Sequence, residues 1–358
     1  SVCSSDLKLL SFEIGSGSDR RQHLGALVEG DADSGLVIDL TNAAHSLLLS
    51  KGSPTGVAES KAHQLCPPNA LDFIEGGAQA RELAEEAVAA ALKNGMERTP
   101  AGDLIRFRAA DLTIRPAISR PPLLRDFMSF EDHLLNVFPK LNRPIPDEWY
   151  RRPVFYKGNP SSIGAHRQVI EFPEYAEFLD LEFEFAIVIG KSGVNIKEDD
   201  ARNHIYGYTI YNDFSARAIQ SAEMTVGLGP AKGKDFVGAH VLGPVLVTAD
   251  EIADPYALSM RGWVNGEQWT DGSSSAMNWK FEEMIAYASW NEQLQVGEVF
   301  GSGTVGNGSG AEQDKVLNPG DVIRLEMTTI GALENRLVRS KPFIGSLEYP
   351  FKRNQGAR

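Results

Sequence analysis

The stretch LDLEFEFAIVIG, residues 179–190, is an apolar run interrupted by acidic side chains. Side chains alternate across a strand, so Leu181, Phe183, Phe185, Ile187 and Ile189 line one face. Glu182, Glu184, Ala186 and Val188 line the other. The first face reads as core. The second begins with two carboxylates and continues with small residues, which suits a strand whose outer half borders a polar site and whose inner half is packed. Glutamates at i and i+2 lie roughly 7 Å apart and point the same way, close enough to share one cation. The competing reading is a solvated face on an edge strand.

Composition narrows the setting. The chain has 358 residues, 42% hydrophobic and 23% charged, enough for one large domain and a smaller one. Its 48 acidic against 35 basic residues give a net charge of −13, which argues against nucleic acid or an anionic membrane as partner. Two cysteines, Cys3 and Cys66, cannot build a disulfide framework or a thiolate metal site. No apolar run approaches the length of a membrane span, and the N-terminus lacks a basic region followed by a long apolar stretch. The expectation is a cytoplasmic protein.

Residues 1–113 are expected to form a small domain. HLGALVEGD and SGLVIDL, separated by the turn-forming DADSG, read as a hairpin. AQARELAEEAVAAALKNG then predicts a helix over 78–94, with Leu83, Ala87, Val88, Ala91 and Leu92 at helical spacing and Asn94-Gly95 as its stop. The proline-rich IRPAISRPPLL, 114–124, marks the crossing into a second domain, 114–358. That part is mostly strand: HIYGYTIYND, HVLGPVLVT, LSMRGWVNGEQW and DVIRLEMTTIG all alternate. SFEDHLLNVF and KFEEMIAYASW read as short helices, the first with a capping box of Ser129 and Asp132. The fold class is mixed and β-rich, α+β with peripheral helices.

Two glycine motifs mislead. GSGTVG at 301–306 has the letters of a dinucleotide fingerprint, but no helical periodicity follows it. GPAKGKDF at 229–236 resembles a phosphate loop, yet its spacing would put the first glycine at Leu228 and the metal-binding hydroxyl at Asp235. Both runs still present backbone amides together with Lys234 and Thr304, useful around an anion. Other polar residues break apolar context in RDFMSFEDH (125–133) and YNDFSARAIQ (211–220), which add Asp126, His133, Asp213, Arg217 and Gln220. Four carboxylates without a thiolate select Mg²⁺, Mn²⁺ or Ca²⁺ over Zn²⁺.

The order of these motifs resembles the fumarylacetoacetate hydrolase family: Asp…His, then Glu-x-Glu, then N-D-x-S-A-R-x-x-Q, then G-P-x-x-G-K, then G-S-G-T. The resemblance covers roughly residues 110–340. It implies a fumarylacetoacetase-type C-terminal β-sandwich roll behind a small N-terminal β/α domain, and a homodimer. It also implies Asp126, Glu182, Glu184 and Asp213 as ligands of a divalent cation and His133 as general base. Arg217, Gln220, Lys234, Thr304 and Tyr156 would meet substrate oxygens. The partner that orients His133 stays open between Glu131 and Glu326; i and i+2 on a helix do not face each other, which favours Glu326 unless SFEDH is unwound.

Departures from fumarylacetoacetase bear on the substrate. Met128 and Met224 fall where that enzyme has substrate-contacting tyrosines, Asn142 replaces an arginine, and Ala218 replaces the usual aspartate beside Arg217. The leading expectation is a metal-dependent hydrolase cleaving a C–C bond of a 1,3-dicarbonyl compound, an acylpyruvate or β-diketone, through His133-activated water and an enolate. The alternative is a keto-acid decarboxylase or keto/enol isomerase on the same fold. A non-catalytic, metal-stabilised binding protein is a third reading, prompted by Met128, Met224 and Ala218.

Overall fold

The structure, a computed structural model, describes residues 7–345; Cys3 lies outside them. The strand expected in the opening stretch runs over Phe183–Ile189 and sits inside a 12-stranded sheet. Across that sheet the order is Arg106–Arg108, Leu36–Asp39, Arg21–Glu29, Lys8–Ile14, His240–Thr248, Ile205–Asp213, Phe183–Ile189, Val299–Gly301, Leu124–Phe127 and Phe155–Gly158. Neighbours along this path are antiparallel except Val299–Gly301 with Leu124–Phe127, which are parallel. The N-terminal strands therefore continue directly into the C-terminal ones through Lys8–Ile14 and His240–Thr248. A second, 5-stranded sheet is formed by Glu267–Ser273, Ser259–Val264, Val322–Met327, Gly331–Val338 and Val169–Glu171.

The alternation in residues 181–189 separates two cores. Leu181, Phe183, Phe185, Ile187 and Ile189 join a cluster with Met260, Leu325 and Leu333 of the second sheet and Phe281 of the helix Phe281–Ala288. Each of the five is at most 1% exposed, and burying such a side chain is worth about 1.5–3 kcal/mol. Ala186 and Val188 face the opposite way into a cluster with Tyr211, Leu242 and Val299 and with the N-terminal helices. Those helices are Leu40–Ser50, Thr55–Leu65, Ala70–Glu75 and Gly77–Lys93. The last covers the span read as helical from its spacing, although Leu92 is 39% exposed. None of the helices in the described residues is long and apolar enough to cross a membrane.

The helix expected in SFEDHLLNVF is Glu131–Val137, but its capping box does not form. Ser129 Oγ donates instead to the carbonyl of Ser302 at 2.5 Å, and Phe130 occupies the cap position. No helix opens at the glycines of 301–306.

Candidate metal and substrate site

The register of the large sheet brings three carboxylates to one place. Gly301 pairs with Asp126 on one side and with Ala186 on the other. Glu184 lies two residues from Ala186 along its strand and pairs with Tyr211, and Asp213 ends that neighbouring strand. One oxygen from each of Asp126, Glu184 and Asp213 lies within 4.8 Å of the other two. Gly301 leaves the space: a Cβ there would stand 2.6 Å from Asp126 Oδ1 and 2.8 Å from Glu184 Oε2.

All three carboxylates are buried. Burial, and then repulsion from the neighbouring carboxylates, pushes Asp126 and Glu184 well above the usual range. Burial opposes the charge of Asp213 as well, but Lys234 and His240 outweigh it and hold that carboxyl below its ordinary value. Asp126 Oδ1 and Glu184 Oε1 are buried without a hydrogen-bond donor. An oxygen-only set with unfilled lone pairs, crowded like charges and a glycine-lined space fits a hard divalent cation.

Glu182, also expected as a ligand, is placed outside this trio. Its Oε1 lies 2.7 Å from an Arg217 guanidinium nitrogen and its Oε2 takes the ammonium of Lys234. It precedes the ladder proper, bridging to Ser309, where these two cations claim it. Burial works against its charge, yet Arg217 and Lys234 keep its carboxyl below the ordinary value. Lys234 also contacts Asp213. Although burial disfavours its charge, Asp213 and Glu182 keep it firmly protonated. Tyr156 donates to Asp213 Oδ2 at 2.7 Å.

Arg217 is supported by a residue whose role spacing did not reveal. Its Nε donates to Asp180 Oδ2 at 2.8 Å, and Gln220 Oε1 accepts from its Nη1 at 3.1 Å. Asp180 in turn accepts from the amides of Gly310 and Ala311 at 2.7 and 3.1 Å. This carboxylate stands where Ala218 offers none.

His133 is buried, and neither expected partner orients it. Glu131 accepts from the Tyr150 hydroxyl at 2.7 Å, and Glu326 accepts from Arg324 Nε at 2.8 Å on the second sheet. Glu312 is the carboxylate beside the ring: its Oε2 lies 3.1 Å from His133 Nδ1, an ion-pair contact without hydrogen-bond alignment. The amides of Asn307 and Ser309 and the Asn136 side chain, at 2.8, 3.0 and 3.0 Å, fix that carboxylate. Burial raises the cost of its charge, but His133 and then Asn136 bring its carboxyl below normal. Thr304 is buried in the loop after Val299–Gly301. Met128 is half-buried and uses its carbonyl to accept from Trp149 Nε1 at 2.6 Å, whereas Met224 ends the helix Arg217–Met224 at 46% exposure.

The family model described as fumarylacetoacetate (FAA) hydrolase C-terminal matches residues 123–338. The chain belongs to this family. The matched span holds the three clustered carboxylates, Glu182, Lys234, Arg217, His133 and Glu312. Oxaloacetate tautomerase fahd2, mitochondrial, of Xenopus laevis is 39% identical over 212 residues, 59% of this chain and 63% of that protein. The chain thus spans just under two thirds of that relative's length. Oxaloacetate tautomerase YisK of Bacillus subtilis is 30% identical over 292 residues, 78% of this chain and 90% of its own. Among solved structures, the fumarylacetoacetate hydrolase of Exiguobacterium antarcticum superposes with a TM-score of 0.66 at 24% identity, covering 93% of this chain and 99% of that one. The fold is thus that of the fumarylacetoacetate hydrolase family, mixed α+β with two sheets.

Proposed function

We propose that this member of the family is a divalent-cation-dependent keto–enol tautomerase acting on a 2-oxo dicarboxylate of the oxaloacetate type. One observation carries the reading: a His133–Glu312 pair accompanies a carboxylate trio suited to a hard cation, in a chain 39% identical over 212 residues to an oxaloacetate tautomerase. Glu182 bridges to Ser309, whose amide donates to Glu312 at 3.0 Å, which ties the pair to the Glu182, Lys234 and Arg217 group.

A divalent ion held by Asp126, Glu184 and Asp213 would supply positive charge that polarises the adjacent carboxylate and keto oxygens of a 2-oxo acid. His133 takes a proton from C3, with the Glu312 carboxylate 3.1 Å from Nδ1 of its ring. Negative charge moves to the C2 oxygen, and the buried ammonium of Lys234 offsets it. Water protonates that oxygen to complete the enol, and His133 returns its proton to the solvent; the reverse order regenerates the ketone. No carbon–carbon bond breaks. His133→Ala is expected to lower the rate about 10²–10⁴-fold, the range for a positioned base.

Hydrolysis is the second reading, because the same histidine and glutamate could deprotonate water. The deciding experiment adds the protein and Mg²⁺ or Mn²⁺ to enol oxaloacetate and follows the loss of enol ultraviolet absorbance alongside product analysis. Accelerated loss without new products supports tautomerisation. Pyruvate as the main product would make the chain a decarboxylase, and oxalate with acetate a hydrolase. A parallel acylpyruvate assay tests cleavage of longer substrates.

A further inference from the structure

The loop that delivers Lys234 has its own fastening. Glu223, one residue before the end of the helix Arg217–Met224, accepts three consecutive backbone amides: Ala231 at 3.0 Å, Lys232 at 2.9 Å and Gly233 at 3.1 Å. Tyr175 donates to the carbonyl of Lys232 at 2.7 Å, and the amide of Ala216 donates to the carbonyl of Gly233 at 2.8 Å. The helix thus grips the loop at both ends. Their contact is tight, since a Cβ on Gly233 would fall 2.5 Å from the Gln220 Cβ. The next residue is Lys234, 2% exposed, with its ammonium against Glu182 and Asp213.

Lysine has four rotatable side-chain bonds, so placing its ammonium requires that its backbone be held still. A carboxylate accepting several amides is a strong anchor, because each bond is charge-assisted. We infer that Glu223 is a positioning residue, acting through the 231–233 backbone to set the Lys234 ammonium against the anionic substrate. The inference rests on the reading that Lys234 faces the substrate's developing negative charge.

Oxalate with Mg²⁺ serves as the probe, being a planar dianion with the oxygen spacing of a 2-oxo acid enolate. Calorimetric titration of the full chain is made for wild type, Glu223→Ala, Glu223→Gln, Lys234→Met and the Glu223→Ala/Lys234→Met double variant. Glu223→Ala is expected to weaken oxalate binding about tenfold, within the range for groups coupled through a shared element. Glu223→Gln, keeping one acceptor oxygen, should fall between it and wild type. The double variant should bind no more weakly than Lys234→Met. Hydrogen exchange at the amides of 231–233 should quicken in Glu223→Ala. Wild-type oxalate affinity in Glu223→Ala, a full additive loss in the double variant, or unchanged exchange would each overturn the positioning role. If Lys234→Met itself bound oxalate like wild type, the reading of Lys234 would fail first and take this inference with it.

Discussion

Gly301 sits where two strands meet the carboxylate trio, and its missing side chain is a functional requirement. Replacing it with alanine would put a methyl group 2.6 Å from Asp126 Oδ1. Relieving such overpacking costs about 1–3 kcal/mol, so Gly301→Ala should weaken Mn²⁺ binding roughly tenfold in a calorimetric titration. Wild-type affinity would remove the trio as the cation site. Glu182 and Glu184, two residues apart, should respond in opposite ways. Glu184→Gln removes a carboxyl whose ionisation burial and its neighbours oppose, and should make the cation-free protein more stable while abolishing cation binding. Glu182→Ala strips two cations of their shared anion and should destabilise by about 3–5 kcal/mol. Denaturant unfolding of the chelated proteins measures both; the same sign of change in the two variants would contradict the division.

Among the elements, the turn between Arg21–Glu29 and Leu36–Asp39 is joined to the second sheet by His166. Its Nδ1 accepts from the amide of Glu334 at 3.1 Å, and its Nε2–H donates to Asp33 Oδ1 at 3.0 Å. Arg167 and Arg324 also face Asp33, and Glu334 lies beside Arg324. Protonating Nδ1 would set it against an N–H donor. Burial lowers the His166 pKa, although Asp33 partly opposes this. The unfolded chain then binds a proton more readily than the folded one, starting near the ordinary value of about 6.5. This contribution to stability is therefore complete above pH ~6.5 and is lost as pH falls through the folded-state value. His166→Gln should flatten that part of a stability-versus-pH curve measured by denaturant unfolding. An unchanged slope would show that the histidine does not titrate differently in the two states.

For the whole molecule, one large sheet carries both the N-terminal strands and the site, so the helices of residues 40–93 form the backing of the site-bearing strands. Beside the Lys234 loop, Val226, Leu228 and Val237 are 73%, 90% and 81% exposed. A second copy of the chain covering these side chains would give the homodimer that the family resemblance implies. The protein should then elute near twice 39.1 kDa, and Leu228→Asp combined with Val237→Asp should shift it towards the monomer. Wild-type elution as a monomer at micromolar concentration would exclude the dimer.

The period of two in residues 181–189 determines, without further information, a strand with one core face and one divided face, because strand geometry leaves side chains no other arrangement. The residue types of Asp126, Glu184 and Asp213 similarly indicate a hard cation wherever the chain brings them together. Tertiary structure decides which groups meet. Glu182 has the alternation and charge of its neighbour, but Arg217 and Lys234 reach it from a helix and a loop distant in sequence. Local spacing could weigh Glu131 against Glu326 for His133, yet the residue that arrives is Glu312, 179 positions beyond the histidine, on a turn whose amides hold its carboxylate. Such pairings depend on where loops return after the sheets have packed, and no periodicity along the chain encodes that.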